Sequence, residues 1–442
     1  MAAIIGLVLV GLVAVLFLAI GLLDATRGTP ITHVSARGVD RGWAPTFDDP
    51  QFRRSVEVLV GSPLEHCHRI ELLCNGETYD RLWADLRAAR RSITMQMYYC
   101  NPGKVADTLR DVLVERARAG VTVLFLYDAF GSSLKKEYFK ELKRAGVEVQ
   151  AFRPLRPRKL REVMHRSHAR VVVVDGQVGY TGGFGIDDKW LGDGRHEDQW
   201  RDSSVRFAGP AVLQLQAAFG ACWAEATGEL IAGDLLYPPT APDDGTSSGG
   251  GGENSAAASG ATVALLHAVP SVGSTRAERF FVLSIAGARR RLYIANAYFV
   301  PDDDFRRLLK AAAGRGVDVR ILTAGAATDV KSVRYAARSV YTELLKAGVR
   351  VFEYRPSMMH AKTLVVDGIW SSVGTLNADN RSMAFNDESN ALIVDKSFAS
   401  QMEEVFRADL EHSDEIELAT FRRRPLWQRV AEHGAHLLQR LL

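Results

Sequence analysis

Two stretches of the chain carry a histidine, a basic residue two positions later and an aspartate five positions beyond that. They read SHARVVVVDGQVGYTGG at 167–183 and MMHAKTLVVDG at 358–368. Histidine exchanges protons near neutral pH, and a neighbouring cation stabilises negative charge, so both stretches could do chemistry on an anionic group. The two triplets are His168, Arg170 and Asp175, and His360, Lys362 and Asp367.

The second triplet lies at the entry to a predicted β-strand. Residues 363–366 form a short apolar run that closes with an Asp-Gly dipeptide, which is typical of a tight turn. Side chains alternate along a strand, so His360 and Lys362 share one face and Asp367 has the opposite parity. We therefore expect Asp367 to brace the turn. For this stretch alone, a surface histidine and lysine would be an equally good interpretation.

Similarity upstream of the two stretches indicates an internal duplication. Three pairs of segments match in order, each separated by roughly 200 residues, as in a repeated unit with small insertions. The pairs are 88–102 with 287–301, 118–132 with 314–328, and 138–154 with 341–356. Each half alternates predicted strands with helical stretches, such as 105–118 and 305–313, which is the pattern of an α/β fold.

The motif and its surroundings resemble a known superfamily. The spacing His-x-Lys-x4-Asp at 360–367, followed by Gly-Thr-x-Asn at 374–377, resembles the HKD signature of the phospholipase D superfamily. The flanks WRDSSVRFAGPAV at 200–212 and NRSMAFNDESN at 380–390 are most similar to bacterial cardiolipin synthases. The resemblance covers nearly the whole chain beyond residue 50. It implies a duplicated phospholipase D-like α/β sandwich with one active site between the halves.

Metal-free cleavage of a phosphodiester needs a nucleophile, a proton donor and positive charge at the non-bridging oxygens. The resemblance implies that His168 and His360 supply the first two through a phosphohistidine intermediate, without a metal or cofactor. Which of them is the nucleophile stays open. Arg170 and Lys362 would hold the phosphoryl oxygens, and Asn377 would donate a hydrogen bond.

Each histidine also needs an orienting carboxylate. Glu388 lies where the family places the acid that contacts the second-half histidine, so we expect it beside His360. Asp202 is then the candidate partner of His168. Thr375 joins this phosphate-binding or orienting group, and the HKD grouping places Asp175 and Asp367 with the catalytic residues. The alternative for the two carboxylates is an ordinary surface position.

The first-half motif departs from the family pattern at two positions. Arg170 replaces the lysine, and Gly185 stands where the pattern has an asparagine. Arginine keeps the charge but presents a planar fork, and glycine removes a side-chain donor. His165 lacks the required spacing and is interpreted as a bystander. These departures leave open a non-catalytic, lipid-binding protein.

The first 23 residues contain no charged side chain and are long enough to cross a bilayer of about 30 Å. They lack the basic leading region of a cleaved signal peptide, so we expect a transmembrane anchor at 1–23. Arginines follow the span at 27, 37 and 41 within a juxtamembrane segment at 24–50. The positive-inside rule then predicts a single-pass inner-membrane protein whose catalytic body faces the cytoplasm.

The remaining boundaries follow from composition. We predict one half at 51–233, a flexible linker rich in Pro, Gly, Ser and Ala at 234–263, and the second half at 264–412. The tail at 413–442 is basic and amphipathic, and its helix would either dock on the protein or lie on a membrane surface. The aromatic pairs at 98–99 and 298–299 are expected to line the junction or to pack in the core.

Charge and cysteine content exclude other classes. The net charge of +3 does not favour nucleic-acid binding, and four scattered cysteines are not a disulfide framework. HCHR at 66–69 has no second ligand cluster, so no metal site is predicted. We expect a membrane phosphatidyltransferase acting on phospholipids, with phosphatidylglycerol as donor. A phospholipase D-type hydrolase and a membrane-tethered phosphodiesterase or nuclease are the alternatives, and the sequence leaves the oligomeric state open.

Overall fold

A computed structural model describes residues 46–67, 69–154, 165–239, 260–270 and 274–437, together with scattered positions between 11 and 19. Most of the predicted anchor at 1–23, nearly all of the juxtamembrane segment and most of the predicted linker lie outside the described residues. No helix in the described part of the chain is long and apolar enough to cross a membrane.

The N-terminal part of the described chain contains ten strands and five helices. The strands are β1 (Glu65–Cys67), β2 (Arg69–Cys74), β3 (Ser92–Met97), β4 (Thr122–Asp128), β5 (Glu148–Phe152), β6 (Arg166–Ser167), β7 (Val171–Val174), β8 (Val178–Gly182), β9 (Trp200–Arg201) and β10 (Ser203–Ala208). The helices are α1 (Pro50–Val60), α2 (Glu77–Ala88), α3 (Lys104–Arg118), α4 (Lys136–Arg144) and α5 (Val212–Thr227).

The C-terminal part repeats this alternation. Its strands are β11 (Ala261–Ala268), β12 (Arg291–Asn296), β13 (Asp318–Ala324), β14 (Arg350–Tyr354), β15 (Met358–Met359), β16 (Lys362–Val366), β17 (Trp370–Gly374), β18 (Asn386–Val394) and β19 (Ser413–Glu415). Its helices are α6 (Arg276–Gly287), α7 (Asp303–Gly314), α8 (Lys331–Lys346), α9 (Asn380–Ala384), α10 (Lys396–Glu411), α11 (Leu418–Arg422) and α12 (Leu426–Leu437).

The two large sheets have the same strand order. One runs β2-β10-β8-β7-β3-β4-β5, and the other contains β11-β18-β17-β16-β12-β13-β14, extended by β1 and β19 at its edges. In both sheets the last three strands of that order are parallel and the others are antiparallel. The duplicated α/β architecture predicted from the internal repeats is therefore confirmed.

The halves meet through helices that pack on both sheets. Helix α5 packs on β3, β5 and β7 of its own sheet and on β11 of the other, and α10 packs on β12, β16 and β17 and also on β2. A hydrophobic cluster between the sheets combines first-half side chains such as Phe207 and Phe219 with second-half side chains such as Tyr293 and Phe406. The site at the junction therefore rests on a shared core.

The segment that precedes the first sheet packs on the second half. Strand β1 pairs with β11, and α1 packs against α6. The ring centroids of Phe52 and Trp370 lie 5.0 Å apart in an edge-on contact. Residues 47–67 are thus part of the second-half layer, although they come first along the chain.

The C-terminal helix docks on the body of the protein by one face. Helix α12 packs against α8, where its buried Glu432 accepts hydrogen bonds from Arg424 and Arg338. Its opposite face leaves Leu426, Trp427 and Val430 more than half exposed. The docked arrangement is one of the two alternatives that the amphipathic pattern left open, and the exposed face keeps the other available.

Candidate active site

Each motif is held in place by a strand of the opposite half. Strand β6, just before His168, pairs with β18, and the His168 amide donates to the Asp387 carbonyl at 2.9 Å. Strand β15, just before His360, pairs with β9, and the His360 amide donates to the Arg201 carbonyl at 2.7 Å. These two strand pairings between the halves bring both histidines to one cavity.

The same strand pairings also determine which carboxylate contacts which histidine. His168 Nδ1 lies 2.9 Å from an oxygen of Glu388, and His360 Nδ1 lies 2.6 Å from Asp202 Oδ2. The predicted pairing of Asp202 with His168 and of Glu388 with His360 is therefore wrong. That prediction assigned each histidine a carboxylate from its own half. The pairing of strands across the junction instead places each acid beside the histidine of the other half.

The two carboxylates differ in their protonation. Burial raises the pKa of Glu388 to about 8, even though hydrogen bonds from Thr375 and other neighbours oppose that shift. Burial would also raise the pKa of Asp202, but His360 and Lys362 outweigh it and the net pKa is lowered. At neutral pH Asp202 is therefore ionised, and Glu388 holds a proton for most of the time.

Burial and the neighbouring cations favour the neutral form of both histidines. Burial lowers the pKa of His360 to about 3, assisted by Lys362 and opposed by Asp202. Burial also lowers the pKa of His168 well below its usual value, with further contributions from the cations Arg170 and Lys362. An anionic phosphodiester between the rings would raise both pKa values, because an opposite charge favours the protonated imidazole.

The predicted phosphate-binding cations face the ring nitrogens. Lys362 Nζ lies 2.9 Å from His360 Nε2, and Arg170 Nη1 lies 3.3 Å from His168 Nε2. Both basic side chains are almost completely buried, and burial lowers the pKa of Lys362 to about 7. Arg170 Nε and Asn377 Oδ1 find no hydrogen-bond partner within the described chain. The Arg170 donor is thus suited to an anionic oxygen, and the Asn377 oxygen, an acceptor, to a hydroxyl.

The two motif aspartates lie outside the cavity. Asp175 accepts hydrogen bonds from the backbone amides of residues 90–92. Asp367 accepts hydrogen bonds from the backbone amides of residues 289–291. The shortest contact to each amide measures 2.8–3.0 Å. Both residues adopt positive φ angles, of 55° and 54°. The strand parity predicted this bracing role for Asp367, whereas grouping the two aspartates with the catalytic residues is wrong for this structure.

The cavity has a volume of about 500 Å³ and is lined by both halves. Tyr98, Tyr99 and Tyr298 line it, as expected for the junction, whereas Phe299 is buried in the second-half core. The Trp200 ring lies 4.7 Å from the His360 ring, and the Tyr98 ring lies 5.3 Å from the His168 ring. These aromatic rings hold both imidazoles in place.

Trp190 explains the absence of an asparagine at position 185. A side chain at Gly185 would begin 2.9 Å from the Trp190 ring and 2.9 Å from the Tyr99 carbonyl, so there is no room for one. The Trp190 indole donates to Asp202 at 2.8 Å. In the first half, the Trp190 ring thus fills the space that an asparagine side chain at position 185 would take, and it holds Asp202 in place. Trp190 lies in the polar segment 186–198, whose sequence carries no signal for a contact with Asp202.

One group of described residues has the spacing of metal ligands. The ligand atoms of Cys222, His267 and Asp387 lie within 4.8 Å of one another. The Asp387 carboxylate accepts from Arg153 at 2.6 Å, and burial raises the pKa of the Cys222 thiol. A protonated thiol and an occupied carboxylate make a poor metal site. His165, the predicted bystander, contacts the Phe385 carbonyl.

Two duplicated α/β halves around one cavity, with a histidine and a cation from each half, define a phospholipase D-like protein. Residues 82–223 and 282–410 match the family model described as "Cardiolipin synthase, PLD-like domain". The chain belongs to this family.

Known relatives agree with this assignment. The cardiolipin synthase of Geobacillus kaustophilus is 37% identical over 384 residues, which cover 86% of this chain and 74% of the relative. Cardiolipin synthase 2 of Bacillus anthracis is 36% identical over 373 residues, covering 84% and 70%. The crystal structure of phosphatidylserine synthase from Haemophilus influenzae has the same fold, with a TM-score of 0.68 at 14% identity, covering 89% of this chain and 100% of that one.

Proposed function

We propose that the protein is a phosphatidyltransferase that makes cardiolipin from phosphatidylglycerol. The observation that carries the proposal is the pair of buried histidines facing one cavity, each in contact with a carboxylate of the opposite half. The names of the relatives support a phospholipid substrate. The reaction would transfer a phosphatidyl group from one lipid to the hydroxyl of a second, with release of glycerol.

The chemistry would proceed in two steps. In the first, one imidazole Nε2 attacks phosphorus while the second, protonated imidazole gives its proton to the departing glycerol oxygen, and the P–O bond breaks. In the second, the now neutral second imidazole takes the proton of the acceptor hydroxyl. The resulting alkoxide then displaces the first imidazole from phosphorus. Lys362, Arg170 and Asn377 would stabilise the charge on the non-bridging oxygens throughout.

The unequal carboxylates support an assignment of the two roles. An ionised Asp202 stabilises a positively charged imidazole, which suits His360 as the acid of the first step and the base of the second. The largely protonated Glu388 offers less support for a cation, and Arg170 beside His168 favours the neutral ring. His168 would therefore be the nucleophile.

A direct test uses purified protein in phosphatidylglycerol vesicles without added metal, with products followed by lipid mass spectrometry. Cardiolipin and glycerol are expected from the wild type and neither from His360→Ala or His168→Ala. Phosphatidic acid in their place would identify water as the acceptor. With a quench in alkaline denaturant, which preserves the acid-labile P–N bond, a phosphatidyl group on histidine is expected to form slowly in His360→Ala, which lacks the acid of the first step, and not at all in His168→Ala. The reverse pattern would exchange the two roles.

We also propose that the protein works at the inner membrane, anchored by residues 1–23 with its body in the cytoplasm. The charge-free leading segment and the arginines after it support this topology. The exposed face of α12, with Trp427 beside the basic residues at 422–424, would contact the bilayer surface. Protease accessibility in spheroplasts and in inverted vesicles tests the topology, since cleavage of the body only in inverted vesicles is expected.

A further inference from the structure

Two arginines that the phosphoryl-transfer steps do not use line the cavity. Arg166 lies 3.7 Å from Asp128 and donates to the Arg153 carbonyl. Arg381, on α9, is half-buried and lines the same cavity as both histidines. Within the described residues, no hydrogen bond or ion pair engages its guanidinium. Partial burial removes water from the guanidinium, and no acidic side chain of the described chain replaces that hydration. An anionic ligand would therefore stabilise Arg381 in this position.

The acidic residues that line this cavity are already engaged. Asp379 caps α9 by accepting from the Ser382 amide at 2.7 Å, and Asp329 accepts from the Tyr298 hydroxyl at 2.8 Å. Burial also raises the pKa of Asp379 to about 7, which weakens its charge at neutral pH. Among the described residues neither acid forms an ion pair with Arg381, whose positive charge reaches His168 and Tyr98 across the cavity.

The reacting phosphate does not need Arg381. One basic group from each half, Lys362 and Arg170, already lies against the ring nitrogens where that phosphate must sit. Transfer to a phospholipid, however, brings a second phosphodiester into the cavity, joined to the attacking hydroxyl by a short glycerol bridge. This second anion has no partner among the groups that hold the first.

We infer that Arg381 binds the phosphodiester of the acceptor lipid and so selects a phospholipid over water or an uncharged alcohol as acceptor. The inference rests on the proposed transfer reaction. Arginine suits this role because its planar fork can hold two phosphate oxygens at once. Arg381 is thus a specificity-determining residue for the second step and takes no part in bond making or breaking.

The test compares a charged and an uncharged acceptor on the same enzyme and donor. Vesicles of phosphatidylglycerol receive isotopically labelled glycerol, so that cardiolipin reports transfer to a lipid and labelled phosphatidylglycerol reports transfer to free glycerol. Both products arise from the same phosphohistidine. Arg381→Met is expected to lower cardiolipin formation about ten- to a hundredfold, the range for a lost hydrogen bond to a charged group, and glycerol exchange far less.

Two further variants sharpen the comparison. Arg381→Lys keeps the charge without the fork and is expected to restore part of the preference for the lipid acceptor. Arg118→Met, at an exposed arginine near the end of α3, is the matched control and should leave the product ratio unchanged. A parallel fall of both products in Arg381→Met, or no fall in either, would overturn the inference. Labelled phosphatidylglycerol without cardiolipin from the wild type would instead refute the proposed function.

Discussion

Asp202 Oδ2 lies 2.6 Å from His360 Nδ1, although the two residues are 158 positions apart and belong to opposite halves. Their contact exists because β9 and β15 pair across the junction, one strand immediately before each residue. The equivalent contact between Glu388 and His168 depends in the same way on β6 and β18. The orientation of each histidine therefore requires both halves of the chain to be folded and packed together.

Asp202→Asn should lower transferase activity by about two to four orders of magnitude, because an amide neither fixes the same imidazole tautomer nor stabilises the imidazolium. Initial rates of product formation in vesicles, with circular dichroism to confirm folding, provide the measurement. Asp198→Asn, at an exposed acid of the neighbouring loop, is the control. An Asp202→Asn enzyme with nearly full activity would remove His360 from the role of proton donor.

Glu388→Gln should be milder at neutral pH, because Glu388 with a pKa of about 8 is already mostly uncharged. The pKa in the folded protein is raised, so the folded state prefers the protonated acid. The stability from that proton is fully present below the unfolded pKa and is lost as pH rises through about 8.

Melting temperatures of wild type and Glu388→Gln at pH 6, 7, 8 and 9 test this. The variant cannot ionise at this position, so it should lose less stability than the wild type between pH 7 and pH 9. Equal slopes for the two proteins would mean that Glu388 is ionised in the folded state at neutral pH.

Asp367→Asn should destabilise the protein while leaving the chemistry of each folded molecule largely intact. Its carboxylate binds three successive amides at the start of β12, and weakening these charge-assisted bonds should cost about 1.5–3 kcal/mol of unfolding free energy. Urea denaturation measures the loss, and the rate per folded molecule is the second readout. A variant of normal stability with abolished turnover would return Asp367 to the catalytic group.

Gly185→Asn restores the family pattern in the first half, yet it should reduce activity. The new side chain would begin 2.9 Å from the Trp190 ring and would push that ring away from Asp202. The hydrogen bond from the Trp190 indole to the Asp202 carboxylate would then be lost. A fall of at least tenfold, with a change in tryptophan fluorescence, is expected. Gly185→Ala should show a smaller change in the same direction, and a gain of activity in Gly185→Asn would contradict the steric explanation.

The sequence was sufficient for the elements that depend on local pattern. Duplicated spacing predicted the two matching sheets, and strand parity predicted the bracing role of Asp367. Helix α7 also follows a local rule, since Asp302 caps it and the acidic residues 303 and 304 occupy its first turn. Each of these results depends on side-chain alternation or on backbone amides within a short stretch of chain.

The carboxylate pairing could not be obtained in this way. Which acid reaches His168 depends on the pairing of the two-residue β6 with the start of β18, about 220 residues away, and neither strand carries a signal for its partner. Trp190 was missed for a related reason. Its contact with Asp202 forms only when the loop folds back over Gly185, and a polar loop sequence does not indicate that path.

The crossed contacts also bear on how such a protein can evolve. After the duplication that produced the two sheets, each copy came to hold the histidine of one pair and the carboxylate of the other. Neither copy therefore retains a complete catalytic unit that could survive by itself, and inactivating changes in one copy are not masked by redundancy in the other. Selection must act on the two repeats as one inherited whole, even where, as at Arg170 and Gly185, their sequences have diverged.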